Sequence, residues 1–545
     1  MQKLQQKGAL VLSLILLVSL LSACGSSNKT ANNGGTGNSA NSGGTGSSNT
    51  ASEVKKDGFP IVDTPITLTM MAPDAGMADW NTMPVIQEME KLSNIKVEFQ
   101  TAPIDSFATK KNLVFASGDL PDMFYAADLT PAEQVTYGSQ GVLIPLEDLI
   151  DNYAPNLKKI LDENPNIRKN ITTTDGHIYA LPYIDTAAVW YRSPMWYNGK
   201  FLKALGVTEL PKTTEELYTL LKRTKEEDPN GNGKADEIPL TSVKLDDLRM
   251  YFFGFWGMYD TEIYADKDGK VHYSPQEEGY KGYLTFMNRL WNENLLDHET
   301  FSQTDDQKTA KGKNNQVLLF NNYFPYFTLG GEPSSDNPMM TPVSSEIAGT
   351  PVYGLHPGMS ANGTFAITKS NPNPEATMRW IDYQYSYEGA TLWTQGPEDT
   401  LWKYKDEATH EKEWLPVPGG GDREEYRGTI TPNYGILTPG VNLPEMTNGL
   451  RTDFDDWINK ENQEKLVPIG KVPFPNVYLT NDEQTEVSAL LSDLETYVTQ
   501  MEAKFVTGQE PLSNWDKYVS QLQKMGSDRV REVYQAAYDR WNSNQ

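Results

Sequence analysis

Apolar positions along the chain change period, and the changes mark out elements. Ile66-Thr67-Leu68-Thr69-Met70-Met71 alternates between prolines and reads as a strand. Ile95-Lys96-Val97-Glu98-Phe99 alternates cleanly, and Met123-Phe124-Tyr125 is a third, short strand. The stretches between them, from about Met83 to Leu92 and from about Ser106 to Ser117, read as helices, the second running into Gly118-Asp119-Leu120-Pro121-Asp122. Strand, helix, strand, helix, strand implies a parallel α/β lobe. Ligands sit at the carboxyl ends of strands in such sheets, and Trp80 and Tyr125 fall in loops expected there. The apolar pattern resumes at Val142 to Ile150, Asp175 to Pro182 is a turn feeding a strand, and Val317 to Phe320 is a further apolar strand.

The start of the chain follows a different pattern. Lys3 and Lys7 precede an unbroken apolar run from Ala9 to Leu21, and Leu21-Ser22-Ala23-Cys24-Gly25 closes it. A charged start, a short apolar run and a small-residue site describe an export signal over residues 1–23. The run is too short and wrongly flanked to be a stable membrane span. The small residues before Cys24 resemble a lipobox, at which bacteria attach diacylglycerol to cysteine and cut just before it. Cys24 is the protein's single cysteine, so no internal disulfide explains it. Lipid chains partition into a bilayer at about 0.8 kcal/mol per buried methylene. Residues 25 to 52 are almost entirely Gly, Ser, Asn, Thr and Ala. Such composition buries no apolar surface, and as a flexible coil it reaches roughly 30 Å. Residues 24–55 are expected to be a lipid-anchored tether.

About 490 residues remain, too many for one simple core, so two lobes are expected. The net charge of -26, with 73 acidic against 47 basic residues, argues against a nucleic-acid partner. No phosphate loop and no G-x-S-x-G elbow occurs. The five histidines, His177, His272, His298, His356 and His410, form no H-E-x-x-H. The abundance of carboxylates leaves a glycosidase pair open.

Several blocks carry a resemblance. FASGDLPDMFYA from Phe115, LIPLEDLIDNYAPNLKKILDENP from Leu143 with DGHIYALPY after it, and the long stretch from Trp196 to Leu240 resemble family 1 extracellular solute-binding proteins. NPNPEATMRWIDYQYSYEGA from Asn371 and the tail blocks FVTGQEPLSNWDKYVSQLQKMG and EVYQAAYDRW do too. The blocks run in order through the mature chain and are most similar to long lipoproteins of the LplA/YtcQ type and to alginate-oligosaccharide-binding proteins. QGPEDTLWKY, residues 395 to 404, departs from the usual glycine-rich stretch. The resemblance implies a periplasmic-binding-protein-like α/β fold (type II, large cluster), with two lobes, hinge crossings and a central cleft. It places a first lobe at 60–185, a second at 186–357, a return to the first at 358–430, and a helical region at 431–545 mostly on the second. It also implies a monomer on the outer face of the cell membrane that captures an oligosaccharide, without catalysis, for the permease subunits of an ABC importer. A surface glycoside hydrolase or lyase and a ligand-presenting sensor are the alternatives.

One loop has a specific spacing. Asp228, Asn230, Asn232 and Asp236 occupy positions one, three, five and nine of a calcium loop, with Gly233 at the sharp turn and Lys234 offering its carbonyl. Position twelve is Pro239, so Glu237 at position ten would supply the bidentate carboxylate. Alginate-binding proteins, which this stretch resembles, hold a structural calcium in such a loop; the alternative is a metal-free helix-to-strand turn. For the sugar, whose apolar faces suit aromatic rings, four clusters stand out: Trp190-Tyr191-Arg192; Phe252, Phe253, Phe255, Trp256 and Tyr259; Tyr323-Phe324-Pro325-Tyr326; and Trp393 with Trp402. Trp256 is the first choice for stacking and Trp190, near the expected first crossing, the second. Each single ring also suits a core. Arg192 suits a carboxylate or hydroxyls, and Asp74, Asp79 and Glu398 are weaker polar candidates.

Overall fold

The first strand, Ile66–Asp74, extends three residues past its alternating stretch and lies parallel to Ile95–Pro103, with Ile66 opposite Ile95. Between them runs the helix Pro84–Ser93. Proline at the first helical position wastes no N–H, and Asn94, at φ 60°, ends the helix in the left-handed region. The helix Ile104–Ser117 ends the same way at Gly118, φ 75°, and Met123–Tyr125 then pairs parallel on the other side of the first strand. This computed structural model describes residues 54–190, 193–260 and 262–543, so the export signal and Cys24 lie outside the described residues.

The six-stranded sheet has the order Gly440–Asn442, Leu181–Asp185, Met359–Ile367, Met123–Tyr125, Ile66–Asp74, Ile95–Pro103. The expected parallel arrangement holds for the first three strands in sequence and fails for Met359–Ile367, which is antiparallel to both neighbours. Connectivity is the cause. Leu181–Asp185 leaves the sheet for the second core, and the chain returns beside its point of exit, Met359 opposite Ile184, so it travels the other way. Gly440–Asn442 leaves again, parallel to Leu181–Asp185.

The second sheet is smaller. Val317–Asn321, buried along its whole length, pairs antiparallel with Met195–Tyr197 and parallel with Ile238–Thr241. The long helix Asn481–Val506 packs on this body, started by a capping box in which Thr480 and Glu483 bond each other's backbone N–H. Each sheet has its own core: Leu68, Met70, Tyr125 and Trp380 belong to one, Trp196, Phe252, Tyr283 and Leu319 to the other. Two sheets with two cores are the two lobes.

The crossings lie side by side. The Asp185 N–H donates to the Gly358 carbonyl at 3.0 Å and the His356 N–H to the Val189 carbonyl at 3.0 Å. Trp190 forms an antiparallel bridge with Leu355, and Tyr353–Gly354 pairs with Gly470–Lys471. A few paired backbone segments between two separately packed cores are the geometry of a hinge.

Candidate functional site

At these crossings the lobes face each other across a cleft of about 980 Å³, at the upper end of what small-molecule sites enclose. The second lobe contributes Trp190, Tyr323, Phe324 and Tyr326. The Trp190 indole donates to the Asn462 side-chain oxygen at 2.5 Å and stands edge-on to Trp196 and Phe324, at 6.3 and 5.9 Å between ring centres. Tyr323 is 61 % exposed, an unusual position for a ring with nothing to do in a core.

The first lobe answers with Trp414, 36 % exposed, and Leu437, 50 % exposed. Trp414 ends a hairpin, Trp402–Asp406 with Glu411–Trp414, in which Trp402 and Trp414 are cross-strand partners. Lys412 fixes that hairpin. Its ammonium is buried among the rings of Tyr387, Trp402 and Tyr404, at 4.9, 4.8 and 5.9 Å, and donates to the Met446 carbonyl at 3.0 Å. Burial pushes the amine down to about 8, while rings and carbonyl favour the charged form. The Arg423 guanidinium lies 4.5 Å from the Trp414 ring centre. Asp185 is fixed from within, its Oδ1 accepting from the N–H groups of Ala187 and Ala188 and from the Asn442 amide.

Other predicted rings belong to the cores. Trp80, Tyr125 and Trp393 are buried in the first lobe. Tyr125 stands between Trp80 and Trp380 and its hydroxyl donates to Gln384 at 2.8 Å, so the carboxyl end of that strand is covered by helices. Trp402 is buried and occupied with Lys412. Trp256, the first choice, packs against Phe255, Tyr283 and Phe286 in the second core. Tyr259 is half-buried, bonds the Ala265 carbonyl, and lines a separate cavity of about 580 Å³. Asp74 and Asp79 accept bonds from neighbouring residues in their own loop, and Glu398 from the Tyr404 N–H; none lines the cleft. Tyr191 and Arg192 lie outside the described residues. Sequence reasoning missed Trp414, Arg423, Asp185 and Asn462. The signal for Trp414 is its place after the charged run Glu411-Lys412-Glu413, near an exposed Gly-rich turn. Behind the crossings, a cavity of about 960 Å³ contains one tryptophan, Trp541. That ring is spent on a bond to Asn170 and on Lys169.

A family described as bacterial extracellular solute-binding protein matches residues 77–391, more than half of the chain. The chain belongs to this family. Among curated relatives, the fructooligosaccharide ABC transporter substrate-binding protein FusA of Streptococcus pneumoniae is 30 % identical over 561 residues, covering 99 % of this chain and 98 % of FusA. The polygalacturonan/rhamnogalacturonan-binding protein YtcQ of Bacillus subtilis is 23 % identical over 475 residues, covering 83 % of this chain and 87 % of YtcQ. The solved structure of FusA in complex with kestose matches with a TM-score of 0.74 and 28 % identity over 88 % of this chain and all of FusA. An EF-hand mutant of FusA matches with 0.73. Alginate-binding protein AlgQ2 shares the fold, with a TM-score of 0.67 and 23 % identity over 88 % of this chain and 99 % of AlgQ2.

In this solute-binding protein the loop at 228–237 follows the helix Thr214–Glu226 and precedes the strand Ile238–Thr241. Asp228 accepts from the Asn232 and Gly233 N–H groups, at 3.1 and 3.0 Å, and Gly233 takes φ 74°. The Asn230 and Asn232 amides both donate to Asp236 Oδ1 at 3.0 Å, which holds the Asp236 carboxyl below its ordinary range. Burial raises that of Glu237, and the neighbouring carboxylates Asp228 and Asp236 add to the rise. Glu237 Oε1 is buried without a hydrogen-bond partner. Among the described residues no group of three or more His, Cys, Asp or Glu side chains is close enough to hold a metal alone. The donor set here is mixed, and calcium requires the two amides to turn oxygen instead of nitrogen inward. With the amides so turned, the unpartnered Glu237 Oε1 would add a hard oxygen of the kind a divalent ion takes.

Proposed function

We propose that this protein captures an oligosaccharide in the cleft between its lobes and delivers it unaltered to the permease subunits of an ABC importer. The observation that carries this reading is the set of rings that both lobes turn toward one cleft at the hinge: the half-buried Trp190 and the exposed Tyr323 from one side, the exposed Trp414 from the other. The likeness to FusA along nearly the whole chain supports it. Calorimetric titration with an oligosaccharide panel, followed by product analysis, tests it. Saturable binding with the sugar recovered intact is expected, and released fragments would point to a glycosidase instead.

The protein works outside the cell, as its family does, and in this reading as a monomer held by a lipid on Cys24. Cys24→Ser is expected to leave the precursor uncut or to release the protein into the medium. Membrane retention of a correctly processed Cys24→Ser protein would refute the anchor.

Calcium at 228–237 would be held by Asp228, Asn230, Asn232, the Lys234 carbonyl, Asp236 and Glu237, where it supplies charge balance and ties the helix to the strand. The EF-hand of FusA supports this assignment. An ion bound only to the native state stabilises it by about 2.7 kcal/mol at a hundredfold excess over Kd. A chelator is expected to lower the Tm of the wild type and to leave that of Asp228→Ala unmoved. Identical melting of wild type with and without calcium, after its removal is verified by metal analysis, would end the proposal.

A further inference from the structure

The two curated relatives described above take sugars of opposite electrostatic kind, one neutral and one rich in uronic acid, and the charges of this cleft discriminate between the two. Its described lining holds three carboxylates, Asp185, Glu424 and Asp455, against two guanidinium groups, Arg423 and Arg451, and no lysine. His356 adds no charge near neutral pH, since burial lowers its pKa.

Of the two arginines, one is already paired and the other is not. Arg451 is paired with Asp456 at 3.2 Å. Arg423 has no carboxylate partner among the described residues; its Nε is buried without a partner and its guanidinium lies over the Trp414 ring. Glu424 is neutralised by Arg427 at 2.7 Å, and Asp455 accepts from Thr452 at the start of its helix. Asp185 has no ion-pair partner among the described residues. Its three donors among the described residues converge on one oxygen, Oδ1, and the other oxygen takes none of them. A carboxylate in this state accepts sugar hydroxyls and repels a uronate. A polyuronate entering the cleft would desolvate a negative charge for every residue buried and meet one unpaired guanidinium, a poor exchange.

Resting on the oligosaccharide reading above, we infer that the ligand is an uncharged oligosaccharide, seated between the Trp414–Arg423 pair and the Trp190–Tyr323 wall, with Asp185 accepting its hydroxyls. The test is calorimetric titration of the lipid-free mature protein. The probes are neutral fructosyl, glucosyl, xylosyl and galactosyl oligomers beside trigalacturonate and a mannuronate trimer, at low and at physiological salt. The best neutral oligomer is expected to bind about 100-fold more tightly than either uronate, with an affinity that salt does not move. Asp185→Asn is expected to weaken the neutral ligand about tenfold, the loss of a charged acceptor, with an unchanged melting curve. A uronate trimer that binds as tightly as every neutral oligomer, or an Asp185→Asn variant that binds the uronate more tightly than wild type binds any neutral sugar, overturns the inference and leaves oligosaccharide capture standing. Absence of binding by the whole panel overturns the oligosaccharide reading, and this inference with it.

Discussion

Trp256→Ala is expected to destabilise the protein by about 3–5 kcal/mol, the usual cost of emptying a large aromatic site in a core. The affinity of the molecules that remain folded is expected to stay unchanged. Trp256 is 7 % exposed and sits among Phe255, Tyr283 and Phe286. Its place was made by a glycine: a Cβ on Gly282 would lie 2.5 Å from the indole. Tyr283 cannot collapse far, because it is buried against Phe253 and Tyr280, so most of the vacated volume would persist as a cavity. Gly282→Ala probes the same contact from the other side and is expected to be destabilising as well. Scanning calorimetry reads both changes, and titration with the ligand reads affinity. A Trp256→Ala protein with wild-type stability and lost affinity would return the ring to the cleft.

That pairing of outcomes marks where the sequence could be read and where it could not. The strands and helices from Ile66 to Tyr125 were legible because each carries its own local signals: an alternating face, then Asn94 or Gly118 to stop the helix. The turn at 228–237, between the helix Thr214–Glu226 and the strand Ile238–Thr241, was legible for the same reason, since its Asn-Gly signals are local. The antiparallel entry of Met359–Ile367 was not, because its direction depends on where Asp185 leaves the sheet, some 170 residues earlier.

The aromatic site was half legible. Trp190, Tyr323, Phe324 and Tyr326 flank a crossing and a recognisable buried strand, so their place near the hinge could be argued from the chain. The run from Phe252 to Tyr259 misled, because density of rings signals buried area rather than a binding surface: four of its five rings fill the second core. Trp414 was overlooked for the opposite reason. The residues just before it are charged, and the feature that presents it to the cleft is a lysine buried among three rings, which only the folded hairpin assembles.

The second large effect is expected at Trp190. Truncation of a central aromatic anchor costs about 2 kcal/mol or more of binding, so Trp190→Ala is expected to weaken the sugar about 30-fold. The ring is half-buried, part of it in the cleft and part packed on Trp196 and Phe324, so the loss of stability is expected to be smaller than for Trp256→Ala. Its indole N–H also ties the crossing segment to the helix Asp453–Lys465 through Asn462, which raises a second explanation for any lost affinity: a loosened hinge. Trp190→Phe separates the two. It keeps a ring for the sugar and removes the bond to Asn462. If stacking dominates, Trp190→Phe keeps most of the affinity that Trp190→Ala loses; if the tether dominates, both variants fall together. Affinity within about twofold of wild type in Trp190→Ala, well under the tenfold per 1.4 kcal/mol that marks a real contact, would remove Trp190 from the site and leave Tyr323 and Trp414 to carry it.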